Sequence, residues 1–169
     1  MARLIQERAV QTKLMSNVVK LIHIIVAYGG HILIENPTHS KFWKQTFMKR
    51  IGCIVGETHA PRSFLLNRCR VGGKHFKQFK FFTSLPAEHT KHMELTSDHH
   101  FRYPPCLGRD ANGNSVTKAS GVYTTSMVHM IVAVIGLTSG VKDAVKLVGD
   151  GLHKHNAKKH ENFRIEDVV

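Results

Sequence analysis

The residues best placed to do chemistry are Glu35 and Asn36, which follow the apolar run Ile32-Leu33-Ile34 and precede Pro37. Three branched apolar residues in a row, entered from Gly29-Gly30, fit a central parallel strand covered on both faces better than an alternating, half-exposed one. Pro37 ends the strand, because its ring removes a ladder donor and holds Asn36 extended. In an open α/β sheet the ligand crevice lies just outside the carboxyl ends of the strands, so a carboxylate at position 35 is expected to point into it. The plainer reading is a strand-end carboxylate bonded to nearby backbone amides.

A second cluster of reactive types is His89, His92, His99, His100 and Cys106. No pair among them has the Cys-x-x-Cys or His-x(3-5)-His spacing of a familiar structural zinc site, so they read as loop histidines and no metal is expected. The three cysteines, Cys53, Cys69 and Cys106, are widely spaced and suit free thiols in a reducing compartment better than a disulfide framework.

These groups need a scaffold. The 169 residues fit one domain with a real core, and a hydrophobic content of 42% argues against disorder throughout. Residues 3 to 28 carry apolar side chains at three-to-four spacing, from Leu4 and Ile5 to Ile25 and Val26, and predict an amphipathic helix stopped by Gly29-Gly30. Ser40 can cap a helix to about Ile51; Ile54-Val55 and Phe64-Leu65-Leu66 are strand candidates. Helix, glycine, buried strand and helix again make an αβα passage of a doubly wound sheet. A strand Phe79 to Leu85, a short helix from Pro86 to Leu95, the turn Asp110 to Asn114, a Thr-capped helix from Thr124 or Thr125, and a last helix Val141 to Val148 complete the pattern. Residues 86 to 120 form an irregular insert, and residues 149 to 169 a basic tail.

Lys and Arg outnumber Asp and Glu by 24 to 12, for a net charge of +12. Residues 41 to 80 hold ten of those cations against the single acid Glu57. The segment from Arg68 to Thr83 places Arg68, Arg70, Lys74, Lys77 and Lys80 around the turn Gly72-Gly73, with phenylalanines alternating between the later lysines. Period-two alternation would put aromatics on one face and cations on the other, while the glycines would admit a partner's backbone. A basic hairpin of this kind favours a polyanion, most simply nucleic acid. There is no signal-peptide pattern, and the apolar runs look too short for a membrane span, so an intracellular chain with no membrane partner is expected.

Glu35-Asn36-Pro37 after an apolar strand, followed by Ser40-Lys-Phe-Trp43, resembles the Glu-Asn motif of DNA cytosine-5 methyltransferases, in particular a divergent Glu-Asn-Pro branch. Two further stretches follow in that family's order. Val71-Gly72 with Lys77, Lys80 and Phe81-Phe82 is similar to the next motif, a turn followed by basic residues and an apolar strand. Gly121-Val122, a cap at Thr124 or Thr125 and the face Met127, Met130, Ile131 and Val134 are similar to the last motif, which lines the cofactor pocket.

The resemblance covers roughly residues 20 to 135 and only the C-terminal half of such an enzyme. It implies a partial Rossmann-like sheet of the S-adenosylmethionine methyltransferase type with flanking helices, spanning residues 1 to 148 as one truncated domain. It also implies Glu35 and Asn36 as base-contacting residues, Gly121 and Val122 as cofactor contacts, and a DNA partner in a nuclear or nucleoid setting. In that chemistry a cysteine thiolate attacks C6 of a flipped cytosine while the glutamate bonds the ring nitrogen and the exocyclic amine. The Gly-rich cofactor loop and the usual Pro-Cys nucleophile loop have no counterpart before Glu35, and Pro104-Pro105-Cys106 lies after it, out of order. The resemblance therefore implies a truncated or split module, inactive alone, that binds S-adenosylmethionine only when a second chain supplies the missing half. The alternative is a non-enzymatic basic nucleic-acid-binding or structural protein.

Overall fold

A computed structural model describes residues 2–96, 103, 104, 106–119, 121 and 123–139. It is a mixed α/β chain in two compact units. The first comprises Met1–Ser63 with Phe81–Leu85, and the second Phe64–Lys80 with the described part of Pro86–Val169. The expected helix Val141 to Val148, the tail from 149, and His99, His100 and Val122 lie outside the described residues.

In the first unit, helix α1 (Ala2–Ala27) packs on helix α2 (Thr46–Gly56). Val19, Ile22 and Val26 of α1 meet Met48, Ile51 and Val55 of α2, and Ile32 joins them. Both triplets follow the three-to-four helical spacing, so each helix turns one stripe inward. The α1 stripe ends in a Schellman turn. The N–H of Gly30 donates to Ile25 O at 2.8 Å and that of Gly29 to Val26 O at 3.0 Å, with Gly29 left-handed at φ 74°. A Cβ on Gly30 would stand 2.9 Å from Ile25 O, which is why the second glycine is needed.

Strand β1 (Leu33–Pro37) follows, then a 3-10 turn Lys41–Lys44, α2, strand β2 (Arg62–Asn67), a 3-10 turn Arg68–Val71 and strand β3 (Gln78–Thr83). The sheet order is β1-β3-β2. Ser84 N–H donates to Ile32 O at 3.2 Å and Arg68 N–H to Lys77 O at 2.8 Å, so β3 runs antiparallel to both neighbours. This corrects the expectation of a central parallel strand at residues 32 to 34. Among the described residues β1 has β3 as its one partner in the sheet, and its residues Leu33 to Asn36 are half-buried. A run of three apolar residues reports burial, and here that burial comes from α1, α2 and Phe82 rather than from strands on both sides.

Two further expectations change. Ile54-Val55 belongs to α2, because Val55 continues the Met48-Ile51 stripe onto α1. The single helix expected from Ser40 to Ile51 is broken at Gln45, which is extended at φ −74°, ψ 149° and separates the 3-10 turn from α2. Moreover, Gln6–Ala27 is long and apolar enough, by length and composition, to cross a membrane, which the reading of short apolar runs did not anticipate. Val19, Ile22 and Val26 within it are nonetheless buried against α2.

The second unit is built on helix α5 (Thr125–Thr138), whose Met127, Met130, Ala133 and Val134 are buried. Thr124 is its N-cap, the hydroxyl accepting from Met127 N–H at 3.2 Å, in agreement with the sequence pattern. The short helix α3 (Ala87–Thr90) packs on α5 and runs into a 3-10 turn, Lys91–Met93, that buries Met93. Val116 of the short helix α4 (Val116–Ala119) is also buried.

Ser84 Oγ accepts the buried N–H of Ile32 at 2.9 Å, so Ser84→Ala should leave a donor unsatisfied and cost about 1–3 kcal/mol. Thr12, exposed on α1, should be replaceable by Ala within about 0.5 kcal/mol. Urea denaturation of the two variants checks the difference, and equal midpoints would show that the Ser84 contact does not hold β1.

Candidate functional site

At the end of β1 the chain turns sharply. The carbonyl of Pro37 accepts from Ser40 N–H and from Trp43 Nε1–H, each at 2.9 Å. Ser40 Oγ accepts from Phe42 N–H at 3.2 Å and caps the 3-10 turn. Trp43 thus clamps the strand end, while Phe42 packs edge-on against both Trp43 and Phe47. Glu35 and Asn36 are half-buried just before this clamp.

The start of β1 carries a pair that the sequence reading missed. The rings of His31 and His59 meet edge to face, with centroids 4.7 Å apart, and His31 Nδ1 lies 3.3 Å from Ser84 Oγ. The two histidines are far apart in the chain and carry no motif, so only the packing of the first unit brings them together.

In the second unit, the basic residues surround a turn that closes on itself. The carbonyl of Arg68 accepts the N–H groups of Gly72 and Gly73, the latter at 2.9 Å. Gly72 is left-handed at φ 80°, and a Cβ on Gly73 would stand 2.8 Å from Arg68 O. The glycine pair therefore serves the turn, where the sequence suggested room for a partner's backbone. Arg70 and Lys74 are exposed at its tip and have no ion pair among the described residues. Arg68, Lys77 and Lys80 are half-buried. Lys77 Nζ lies 4.9 Å from the centroid of Phe79, a cation-π contact between residues two apart, which strand alternation sets on one face; the expected division into an aromatic face and a cationic face does not hold for this pair. Behind the turn, Gln78 Nε2 donates to Oδ1 of the buried Asn67 at 3.0 Å, and Asn67 N–H donates to Leu95 O at 2.8 Å. These bonds stiffen the base of the hairpin. An asparagine ending an apolar strand was the available signal.

The remaining candidates are scattered. Gly121 is exposed in the turn before α5. Cys53 is exposed on α2, whereas Cys69 and Cys106 are half-buried, and all three are free thiols. No three His, Cys, Asp or Glu side chains are grouped to hold a metal among the described residues. His92 is buried, and its Nε2 lies 3.2 Å from Met130 O, the geometry of an N–H donor to α5.

Burial pushes the His92 pKa below its ordinary 6.5, and the bond to Met130 O only partly opposes that. The folded state thus resists protonation. Its stability from this residue is complete above pH 6.5 and declines as pH falls below that value, where the unfolded chain takes up the proton first. His92→Gln should flatten this part of the stability-pH curve between about pH 7.5 and 5.5, measured by denaturant melts. An unchanged curve would mean that His92 is not the buried neutral group. A scan of the chain against protein-family models, and searches of curated proteins and of solved structures, found no match.

Proposed function

We propose that this chain is a nucleic-acid-binding module that contacts phosphates through the Arg68–Lys80 hairpin and has no methyl-transfer activity by itself. The observation that carries this reading is the self-closed turn presenting Arg70 and Lys74 to solvent, in a stretch where no Asp or Glu occurs between Glu57 and Glu88. A rigid, acid-free cluster of cations suits a phosphate backbone, because each neutralised phosphate releases counterions whatever the base sequence. Arg68, Lys77 and Lys80 extend the patch along the hairpin. DNA is the expected polymer, on the ground of the methyltransferase resemblance, and with it a nuclear or nucleoid setting.

The enzyme-derived version of this reading assigns Glu35 and Asn36 to the edge of a flipped cytosine, and Gly121 and Val122 to the cofactor. It needs a doubly wound sheet. β1 stands at one end of the strand order, so a second chain would have to add its strands beyond β1 to place Glu35 in a crevice. Among the described residues Glu35 lies on an edge strand, which favours the non-catalytic reading. The free thiols stand on α2 at Cys53, in the Arg68–Val71 turn at Cys69 and in the loop before α4 at Cys106, and losing one member of a catalytic set removes most of the rate.

Fluorescence anisotropy with labelled duplex and single-stranded oligonucleotides tests the binding. The parent should bind with little sequence preference and a steep loss of affinity with salt. Arg70→Ala with Lys74→Ala and Lys77→Ala should lower the log-log salt slope by about 3. A triple variant that binds as the parent does at every salt concentration would reduce the patch to a solvated surface.

Incubation with labelled S-adenosylmethionine and DNA should yield no methylcytosine from the purified chain. Transfer that appears only after a chain carrying the Gly-rich and Pro-Cys motifs is added would establish the split enzyme. Robust transfer by the chain alone, abolished by Glu35→Ala and by Cys106→Ala, would overturn the reading and show a permuted order of motifs.

A further inference from the structure

Helix α1 has two apolar stripes and the fold uses one. Val19, Ile22 and Val26 are buried on α2, but Val10, Leu14, Leu21 and Ile24 are 63%, 55%, 56% and 56% exposed, and Tyr28, one residue past the helix, is 89% exposed. With Asn17, also exposed, these positions step by four and three in strict alternation from 10 to 28. That is the 3.5-residue period of a coiled-coil seam, and it lies on the side of α1 turned away from α2. Single exposed leucines are ordinary, whereas a run of five large apolar side chains on one seam is not.

The helix also outruns its support. Residues 6 to 14 are all exposed, although helices of this length depend on a packed face for their stability. The five side chains together expose on the order of 600 Å², close to the roughly 800 Å² that each partner contributes to a stable interface.

We propose that the outer face of α1 pairs with the same face of further copies of this chain, as a parallel, in-register coiled coil. Asn17 is the one polar residue between Val10 and Tyr28 on the seam, and in register it meets its own copy, so that two amides satisfy each other and set the alignment. The flanking positions choose the direction. Lys13 and Lys20 lie along one side of the seam, Val18 and Ile25 along the other. A parallel pair lays each lysine stem over an apolar residue of the partner, whereas an antiparallel pair centred on Asn17 would bring Lys13 against Lys20. The seam closes at its N-terminal end with Arg3 and Glu7, whose Nε and Oε1 are 2.9 Å apart within one helix.

Sedimentation equilibrium of the full chain at micromolar concentration tests this. The expected mass is a whole multiple of 19.0 kDa, at least twice that value. Leu14→Lys with Leu21→Lys touches none of the buried residues and should weaken association at least about tenfold, with the thermal melt of the α1–α2 core retained. Asn17→Leu should keep the chains associated and loosen their register. In a variant whose three cysteines are serine, Leu21→Cys should form a covalent dimer on oxidation, because parallel alignment brings residue 21 to its own copy. A parent that stays monomeric, or a double lysine variant that associates as strongly as the parent, would overturn the proposal. Monomers that float with anionic phospholipid vesicles would assign the stripe to a lipid surface and overturn it equally. A persistent assembly that never crosslinks through residue 21 would overturn the parallel arrangement.

Discussion

The backbone of Ile32 is held at both ends by two side chains at the end of β3, that of its last residue, Thr83, and that of Ser84 just after it. Its N–H donates to Ser84 Oγ at 2.9 Å, and its carbonyl accepts from Thr83 Oγ1 at 2.7 Å and from Ser84 N–H at 3.2 Å. Thr83 and Ser84 are buried, so these bonds are shielded from water and an unmade one would be costly. Together they set the register of β1 against β3. A slip of one residue would exchange the faces of the strand, turning Ile34 out of the α1–α2 core and Glu35 into it. The position of the only carboxylate on β1 therefore depends on two hydroxyls some fifty residues further along the chain.

Around that clamp the first unit is a helix pair covering a short strand. The Schellman turn at Gly29-Gly30 releases the chain from α1, and the Trp43–Pro37 contact catches it at the far end of β1. Both corners are made by backbone carbonyls that would otherwise be left without donors. The second unit uses the same device at Arg68, whose carbonyl gathers two glycine amides. There, closing the turn on itself leaves Arg70 and Lys74 facing solvent.

α1 joins the two proposals through its geometry. A single helix that packs inward through Val19, Ile22 and Val26 can carry a second stripe without disturbing the first, since the two are separated around the helix axis. An assembly formed on the outer stripe would carry more than one copy of the basic hairpin, and if these bind phosphates as proposed, copies on one polyanion would gain by effective concentration without any new contact.

The amino-acid sequence by itself determined the features whose causes are local. The stripes of α1 and α5, the stop at Gly29-Gly30, the Thr124 cap, the turn at Asp110 to Asn114 and the cluster of cations from Arg68 to Lys80 all rest on residues within a few positions of one another. Periodicity, capping and turn chemistry act over that range. Tertiary structure alone decided the strand order, the antiparallel setting of β1, the helical state of Ile54-Val55, the pairing of His31 with His59 and the burial of His92 against Met130. An apolar run states that a segment is covered without stating by what, and the covering groups here come from distant parts of the chain. Glu35 shows the difference most plainly: its place at the end of a strand followed from Pro37, whereas the face it takes is set by the register that Thr83 and Ser84 fix on Ile32, and its place at the edge among the described strands by the order β1-β3-β2.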